Sequence, residues 1–509
     1  MSEGTEMDQQ TPGTASTQPP LLLEEDIDTA CAMDATVMPE VFRGVYTELA
    51  ETNVNHGNPW MYFVCTVPLV FWSLCNSAVR ITPTWKPVTM ISIEIVGPPG
   101  TGKSTMIKEA TRTFAKARRV IKIANGLKRL PNSFDMDAAH ITFELSDVPI
   151  NMLALEFRNQ NNHALKFMDE LGQFWEKAKD RAHASQYCSL IDCLPLTLPS
   201  TRQSSQIESE PLSQLEYSRF AMFGATTTKS KVNYTSKAPI VDSGLLYRFH
   251  TYLLDPKAFL PFNMDTARKT YPQNIIPLMI STIYLLFRDT LVPGGEQFEF
   301  RIQEGAAFEK LVFDIQQKEG ILRDTKNYSE HYRELASKHK QSLAVYSVAV
   351  HVVTCFFQLC AQRFNIVEGD PTEKGFWGDI DLWDNAQLAR KAIELAKHMS
   401  SPTMRNRLSE VSLESLNGAA TLVNATTNSM LHLLSLSNCS TGYKPKSSES
   451  VAAKNLSGKK VKAKARKYVP SPLQPTRSFD QAGEGKLAIS KRTCRSVKTL
   501  DYAEDGDSE

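Results

Sequence analysis

The sequence predicts an α/β protein: a parallel sheet covered by helices on both faces, then a mostly helical part, with unfolded segments at both ends. Three observations predict it. Between residues 89 and 262, short apolar runs alternate with helix-length amphipathic stretches, the texture of a parallel sheet whose crossovers are helices. After Asp265 the texture changes to long runs with apolar residues at every third or fourth position. At both ends the chain carries turn formers and charge with few apolar anchors, so burial cannot offset the entropy of ordering it.

Taken in order, residues 1–38 are acidic, rich in Thr, Gln and Pro, and expected to be disordered. Residues 39–88 form a helical lead-in, with Val41, Val45, Leu49 and Val54 recurring roughly every four residues, and the loop "TPTWKP" ends it. Within it, residues 57–79 carry no charge and are long enough to cross a hydrocarbon layer. Pro59, Thr66, Pro68, Ser73, Asn76 and Ser77 dilute the run and no basic cluster flanks it. We therefore expect a helix packed on the domain that follows, and no membrane partner. The core, 89–262, offers strands at "ISIEIV", "HITFEL", "ALKFMD" and "RFAMFGA", and helices over 104–121 and near 151–158. Long helices are predicted over 273–291, 303–318, 342–364 and 385–398 in a helical domain at 263–400. A further helical segment follows at 401–440, and residues 441–509 form a basic disordered tail.

The composition, 42% hydrophobic and 22% charged over 509 residues, is that of a soluble globular protein with two or three domains. A formal net charge of +1 conceals opposite poles, because the acidic start is balanced by fifteen Lys or Arg against three Asp or Glu in residues 444–498. Nine cysteines, an odd number, with no apolar signal segment near Met1, point to a reducing intracellular compartment. Cys188 with Cys193 and Cys355 with Cys360 are five apart, a spacing that fits no zinc knuckle, and we read them as buried thiols. Sequon-like triplets at Asn233, Asn424 and Asn438 carry no weight without a secretory route.

"GPPGTGKS" fits G-x-x-x-x-G-K-[ST] at residues 97–104, with a strand pattern before it and a helix pattern after it. Gly97, Gly100 and Gly102 permit dihedrals that a side chain would forbid, so the loop through Pro98, Pro99, Thr101, Ser104 and Thr105 can turn successive N–H groups onto phosphate, the two prolines having no N–H to contribute. Lys103 is expected to reach the β- and γ-phosphates of ATP and Ser104 to ligate Mg²⁺. "HALKFMDELGQFW" then supplies Asp169 at a strand end for the metal's water shell and Glu170 to orient the attacking water; the alternative is that both begin an amphipathic helix. "RFAMFGATTT" leads a buried strand into Thr226, whose hydroxyl could contact the γ-phosphate or its water, or satisfy a plain turn. "DSGLLYRFHTYLLDP" carries Arg248, either an arginine finger offsetting charge at a neighbouring subunit's γ-phosphate or one half of a structural salt bridge.

"GPPGTGKST", "FMDELGQFW", "FGATTT" and "SGLLYRFH", in that order, resemble a family of poorly characterised P-loop ATPases of phages, plasmids and other mobile elements, usually described as primase-helicase associated. The resemblance covers roughly residues 39–400, and "LLYRFHTYLLD" is similar to the arginine-finger segment of minichromosome-maintenance helicases. It implies an AAA+-like core, a homo-oligomer, a role for Arg248 in trans, and a helicase-like DNA motor or remodeller acting on single-stranded or forked DNA during replication of a mobile or viral-type element. About ninety residues precede Ile91, too few for the primase domain that such families often carry. Lys338 or Lys340 is a candidate second phosphate sensor.

The basic tail can neutralise nucleic-acid phosphates in a salt-sensitive, sequence-independent way. Its segment 459–467 would also serve as a nuclear import signal in a eukaryotic host. Two other readings stay open: a nucleotide-controlled nucleic-acid-binding switch with little hydrolysis, and a small-molecule kinase, against which the acidic pair at a strand end argues.

Overall fold

Apolar runs of five to nine residues become the strands of a four-stranded parallel sheet. The structure is a computed structural model, and it describes residues 31–54, 58–128, 163–194, 196–197, 214–215, 219–235, 237, 240, 243–255, 273–291, 295–303, 305–324, 329–364 and 380–441. "HITFEL", the helix near 151–158, residues 1–30 and the tail beyond Thr441 lie outside the described residues.

The described chain begins with α1 (Glu40–Leu49) and α2 (Pro59–Ser73), then β1 (Ser77–Arg80), β2 (Ser92–Gly97) and α3 (Lys103–Lys128). After β3 (His163–Met168) come α4 (Gly172–Lys177), α5 (Arg181–Ile191), the short antiparallel pair β4 (Leu196–Thr197) and β5 (Gln214–Leu215), then β6 (Arg219–Thr227), α6 (Thr228–Thr235) and β7 (Phe249–Leu253). The remainder is α7 (Ile275–Phe287), β8 (Phe298–Ile302), α8 (Gly305–Asp324), α9 (Ser329–Arg363), α10 (Asn385–Met399), α11 (Pro402–Ser409), β9 (Glu410–Val411) and α12 (Leu413–Thr441).

The main sheet has the order β3-β6-β2-β7, all parallel, so β2 sits between β6 and β7. Side chains alternate across it. Leu165, Ala221, Phe223, Ile93, Ile95 and Tyr252 enter a large core shared with α2 and α3, while Ala164, Phe220, Met222 and Phe249 enter a second core under α4, α5 and α6. The fold is thus α/β with helices on both faces of a parallel sheet, as the alternating texture predicts.

A second parallel sheet, β1-β8-β9, adds short strands that the sequence did not announce, β1 within the helical lead-in and β8 and β9 within the mostly helical part after residue 262. β1 lies within what reads as a continuous apolar run, whereas "FEFRI" of β8 does alternate apolar and charged residues with period two, a short signal overshadowed by the long helical runs on either side. β7 was masked in the same way: "FHTYL" is a buried strand, although its sequence reads first as a carrier for Arg248.

The uncharged run 57–79 becomes α2, every residue of which is buried, followed by β1. Asn58 caps it by accepting from the Trp60 amide at 2.9 Å, and Pro59 occupies the first turn, where its missing N–H costs nothing. Trp72 near its end packs edge-on to Phe114 of α3 and stacks on His163 of β3 and Tyr284 of α7, while Tyr62 donates to the buried Glu109 carboxylate of α3 at 2.9 Å. The lead-in is thereby bound to the helix that follows the glycine loop. Among the described residues one helical stretch, 337–363 within α9, is long and apolar enough to cross a membrane, and it is almost wholly buried. The four cysteines read as thiols are free and buried.

Candidate phosphate site

The glycine motif closes the C-terminal end of β2 and opens α3. Gly100 (φ 84°) and Gly102 (φ 77°) occupy the left-handed region, which an L side chain enters only with strain. Gly97 is required for a different reason: a Cβ there would sit 2.8 Å from Thr101 Oγ1. Thr101 is buried and donates to the Pro98 carbonyl at 2.8 Å, which tightens the loop; Pro98 is half-buried and Pro99 exposed. Lys103 Nζ folds back onto the carbonyls of Gly97 (2.9 Å) and Pro98 (2.6 Å). Burial lowers its pKa from the ordinary lysine value, while Glu170 and then Asp169 pull it the other way, so both carboxylates lie within electrostatic reach of the ammonium. Ser104 and Thr105 are exposed in the first turn of α3, where backbone N–H groups have no intrahelical acceptor.

β3 delivers Asp169 and Glu170, both exposed, just past its own C-terminal end. The turn is fixed by Leu171, whose amide donates to Ala225 O at 2.7 Å and whose side chain lies against Gly224: a Cβ at Gly224 would be 2.6 Å from Leu171 Cγ and 2.9 Å from Met168 O. Glu170 Oε1 accepts from the Gly172 amide (2.9 Å) and from Thr226 Oγ1 (3.0 Å), and Thr226 is fully buried at the end of β6. The loop, Asp169, Glu170 and Thr226 therefore gather at the carboxyl ends of β2, β3 and β6, where open α/β sheets place their ligands.

Arg248 lies elsewhere. It precedes Phe249, which is in register with Ser92 at the start of β2, whereas the loop begins at Gly97; at ~3.3 Å per residue the two ends are about 16 Å apart. Arg248 makes an ion pair with Asp192, donating from Nε (2.9 Å) and Nη2 (2.6 Å), and donates from Nη1 to Gly244 O (2.8 Å). Burial lowers its pKa, but the hydrogen bonds and charge of Asp192 outweigh that and leave it raised. Lys338, half-buried on α9, is close enough to Cys188 and His250 to shift both, which puts it toward the Arg248 end; Lys340 is exposed.

Sequence reasoning missed three residues directly beneath the loop. Glu94, in the middle of β2, is fully buried; Oε1 accepts from Trp175 Nε1 of α4 at 3.0 Å and Oε2 forms an ion pair with Lys231 of α6, also fully buried. Lys231 Nζ lies 4.3 Å from the centre of the Trp175 ring. The signal was present: a lone carboxylate inside "ISIEIV" must find a partner once the strand is covered on both faces.

Chemically, unpaired amides at a helix N-terminus, an adjacent ammonium and a carboxylate aimed by two donors can receive an anion and orient a water beside it. Among the described residues no cluster of three or more His, Cys, Asp or Glu could hold a metal alone. Ser104 and Asp169 offer hard oxygen donors, the kind that Mg²⁺ takes. No protein-family model matches the chain, and no curated protein sequence does.

Proposed function

We propose that the chain is a Mg²⁺-dependent ATPase with an AAA+-like P-loop core, working as a homo-oligomer on DNA as a helicase-like motor or remodeller. One observation carries the reading: the Glu170 carboxylate, held by Thr226 and the Gly172 amide, stands at the same carboxyl end of the sheet as Lys103 and the glycine loop. The triphosphate would lie along the first-turn amides, with Lys103 leaving the Gly97 and Pro98 carbonyls for phosphate oxygens. Ser104 and Asp169 would hold Mg²⁺ directly and through water, and the ion when bound offsets charge on the phosphates. Glu170 would orient the water that attacks the γ-phosphorus and accept its proton, with Thr226 fixing the carboxylate; ADP and phosphate leave.

A DNA partner is supported by the basic composition of residues 444–498 and by α3, where Lys108, Arg112, Arg119 and Lys122 are all exposed on one helical face. The resemblance to mobile-element ATPases and to an arginine-finger segment supports a role in replication and an oligomer in which Arg248 would act on a neighbour. A switch that binds nucleotide with little hydrolysis is favoured by one observation, the engagement of Arg248 by Asp192 at the far end of the sheet.

ATP hydrolysis measured with and without single-stranded and forked DNA, at low and moderate salt, tests the reading. We expect DNA-stimulated turnover in the wild type. Lys103→Ala should lose both turnover and the thermal stabilisation by MgATP, about 2.7 kcal/mol at a hundred times the Kd. A folded wild type that MgATP does not stabilise overturns the proposal; binding with very slow, DNA-indifferent hydrolysis favours the switch.

A further inference from the structure

The buried group at Glu94 deepens this reading of the site and rests on it. Glu94 is three residues before Gly97, Trp175 five after Glu170, and Lys231 five after Thr226, so each of the three polypeptide segments that form the site contributes one member. All three side chains are fully buried. The carboxylate is used on both oxygens, Oε1 by the indole N–H and Oε2 by the ammonium, and the ammonium also faces the indole ring. Tyr234, further along α6, donates to Glu176 beside Trp175 at 2.9 Å, a second tie between α4 and α6. On the same side of the sheet, α12 packs on α6 and β7: Leu433 meets Val96 and Leu253, and the Leu253 amide donates to Ser429 Oγ at 3.0 Å.

Moving α4 or α6 relative to β2 would strand a bare charge in a region closed to water, which is far more costly than sliding one apolar surface over another. An all-apolar interface at this depth would hold the helices without fixing their register so sharply. We propose that Glu94, Trp175 and Lys231 are positioning residues for hydrolysis: they lock the Glu170 turn and the Thr226 strand end to the glycine loop, so that the three shift as one body and pass that shift through α6 to α12. Trp175, touching the charged pair, then reports nucleotide at the site by its emission.

The test compares the wild type, Lys231→Met, the charge-free pair Glu94→Gln/Lys231→Met, and Trp175→Phe, with MgATP as the probe. We expect the charge-free variant to fold and bind MgATP with an unchanged KM, yet to lose about tenfold to a hundredfold in kcat, because the carboxylate and the loop are no longer held in one register. If the single Lys231→Met variant fails to fold, the charge-free pair, which leaves no charge buried alone, carries the comparison. The emission change on adding MgATP should be present in the wild type and lost in Trp175→Phe. A charge-free variant with wild-type kcat makes the group structural only and overturns the inference while leaving the ATPase reading intact. A wild type that neither binds nor hydrolyses ATP overturns the ATPase reading first, and the inference with it.

Discussion

Thr226 Oγ1 donates to Glu170 Oε1 at 3.0 Å, joining the ends of two neighbouring parallel strands, β6 and β3. The buried hydroxyl fixes one face of an exposed carboxylate, and the Gly172 amide fixes it from its own turn. For the proposed ATPase, Glu170→Gln should lower kcat by roughly 10² to 10⁴ while nucleotide binding persists. Thr226→Val, which removes the donor and keeps the shape, should cost a smaller factor in kcat at unchanged KM. Full turnover in purified Glu170→Gln protein would remove that residue from the mechanism.

Gly224 supports the same turn by having no side chain. Gly224→Ala would drive a methyl group into Leu171 and the Met168 carbonyl, an overpacking that costs about 1–3 kcal/mol. We expect a lower Tm together with reduced hydrolysis, since the displaced turn carries Glu170. An alanine variant with both properties unchanged would show that Leu171 moves aside freely.

Arg248 and Asp192 make a partly buried ion pair, their side chains 18% and 24% exposed. Removing either should destabilise the chain by about 1–3 kcal/mol, and the two losses should not add, because each removes the same contact. An Arg248 that also serves a neighbouring subunit gives a second, separable result: mixing Arg248→Ala with Lys103→Ala subunits is expected to restore part of the lost hydrolysis. Non-additive stability losses with no recovery on mixing would confine Arg248 to its pairing with Asp192.

Three buried histidines make stability depend on acid. Burial, with Arg219 nearby, pushes His163 down to about 3; burial, with His339 and Lys338, pushes His250 down to about 3; burial, opposed in part by the Arg407 carbonyl, pushes His351 down to about 4. Each is neutral when folded and titrates near 6.5 when unfolded, so below that pH the unfolded chain binds more protons. Stability is intact above about pH 6.5 and falls as the pH drops toward 4, by about 1 kcal/mol per histidine per pH unit. The urea midpoint should therefore be lower at pH 5 than at pH 7; equal midpoints would contradict the burial of these rings.

β2, β3 and β6 were legible because each is an apolar run with a turn signal at its end, and the glycine loop because its spacing admits few other conformations. α10 was legible as a helix over 385–398, and its start is marked by a capping box in which Asp384 accepts from the Gln387 amide and Gln387, three residues on, answers back. Joining the loop to Glu170 and Thr226 required only that parallel strands end on one side. What could not be read was pairing at a distance. Nothing local in "SAVR" or "FEFRI" announces that they meet, nothing in "YRFH" says that Arg248 precedes a strand running beside β2, and the partner of Glu94 waits far along the chain in α6.

Ser77 of β1 finds its strand partner at Phe298, roughly two hundred and twenty residues later, and β8 in turn pairs with β9 near residue 410. During synthesis the apolar α2, directly before β1, leaves the ribosome long before the surfaces that enclose it exist. Closure of such remote pairings is slow, and greasy segments that wait for it invite aggregation. Production of this protein should therefore be sensitive to growth temperature and to chaperone supply, and shortened versions ending before β8 should accumulate in inclusion bodies.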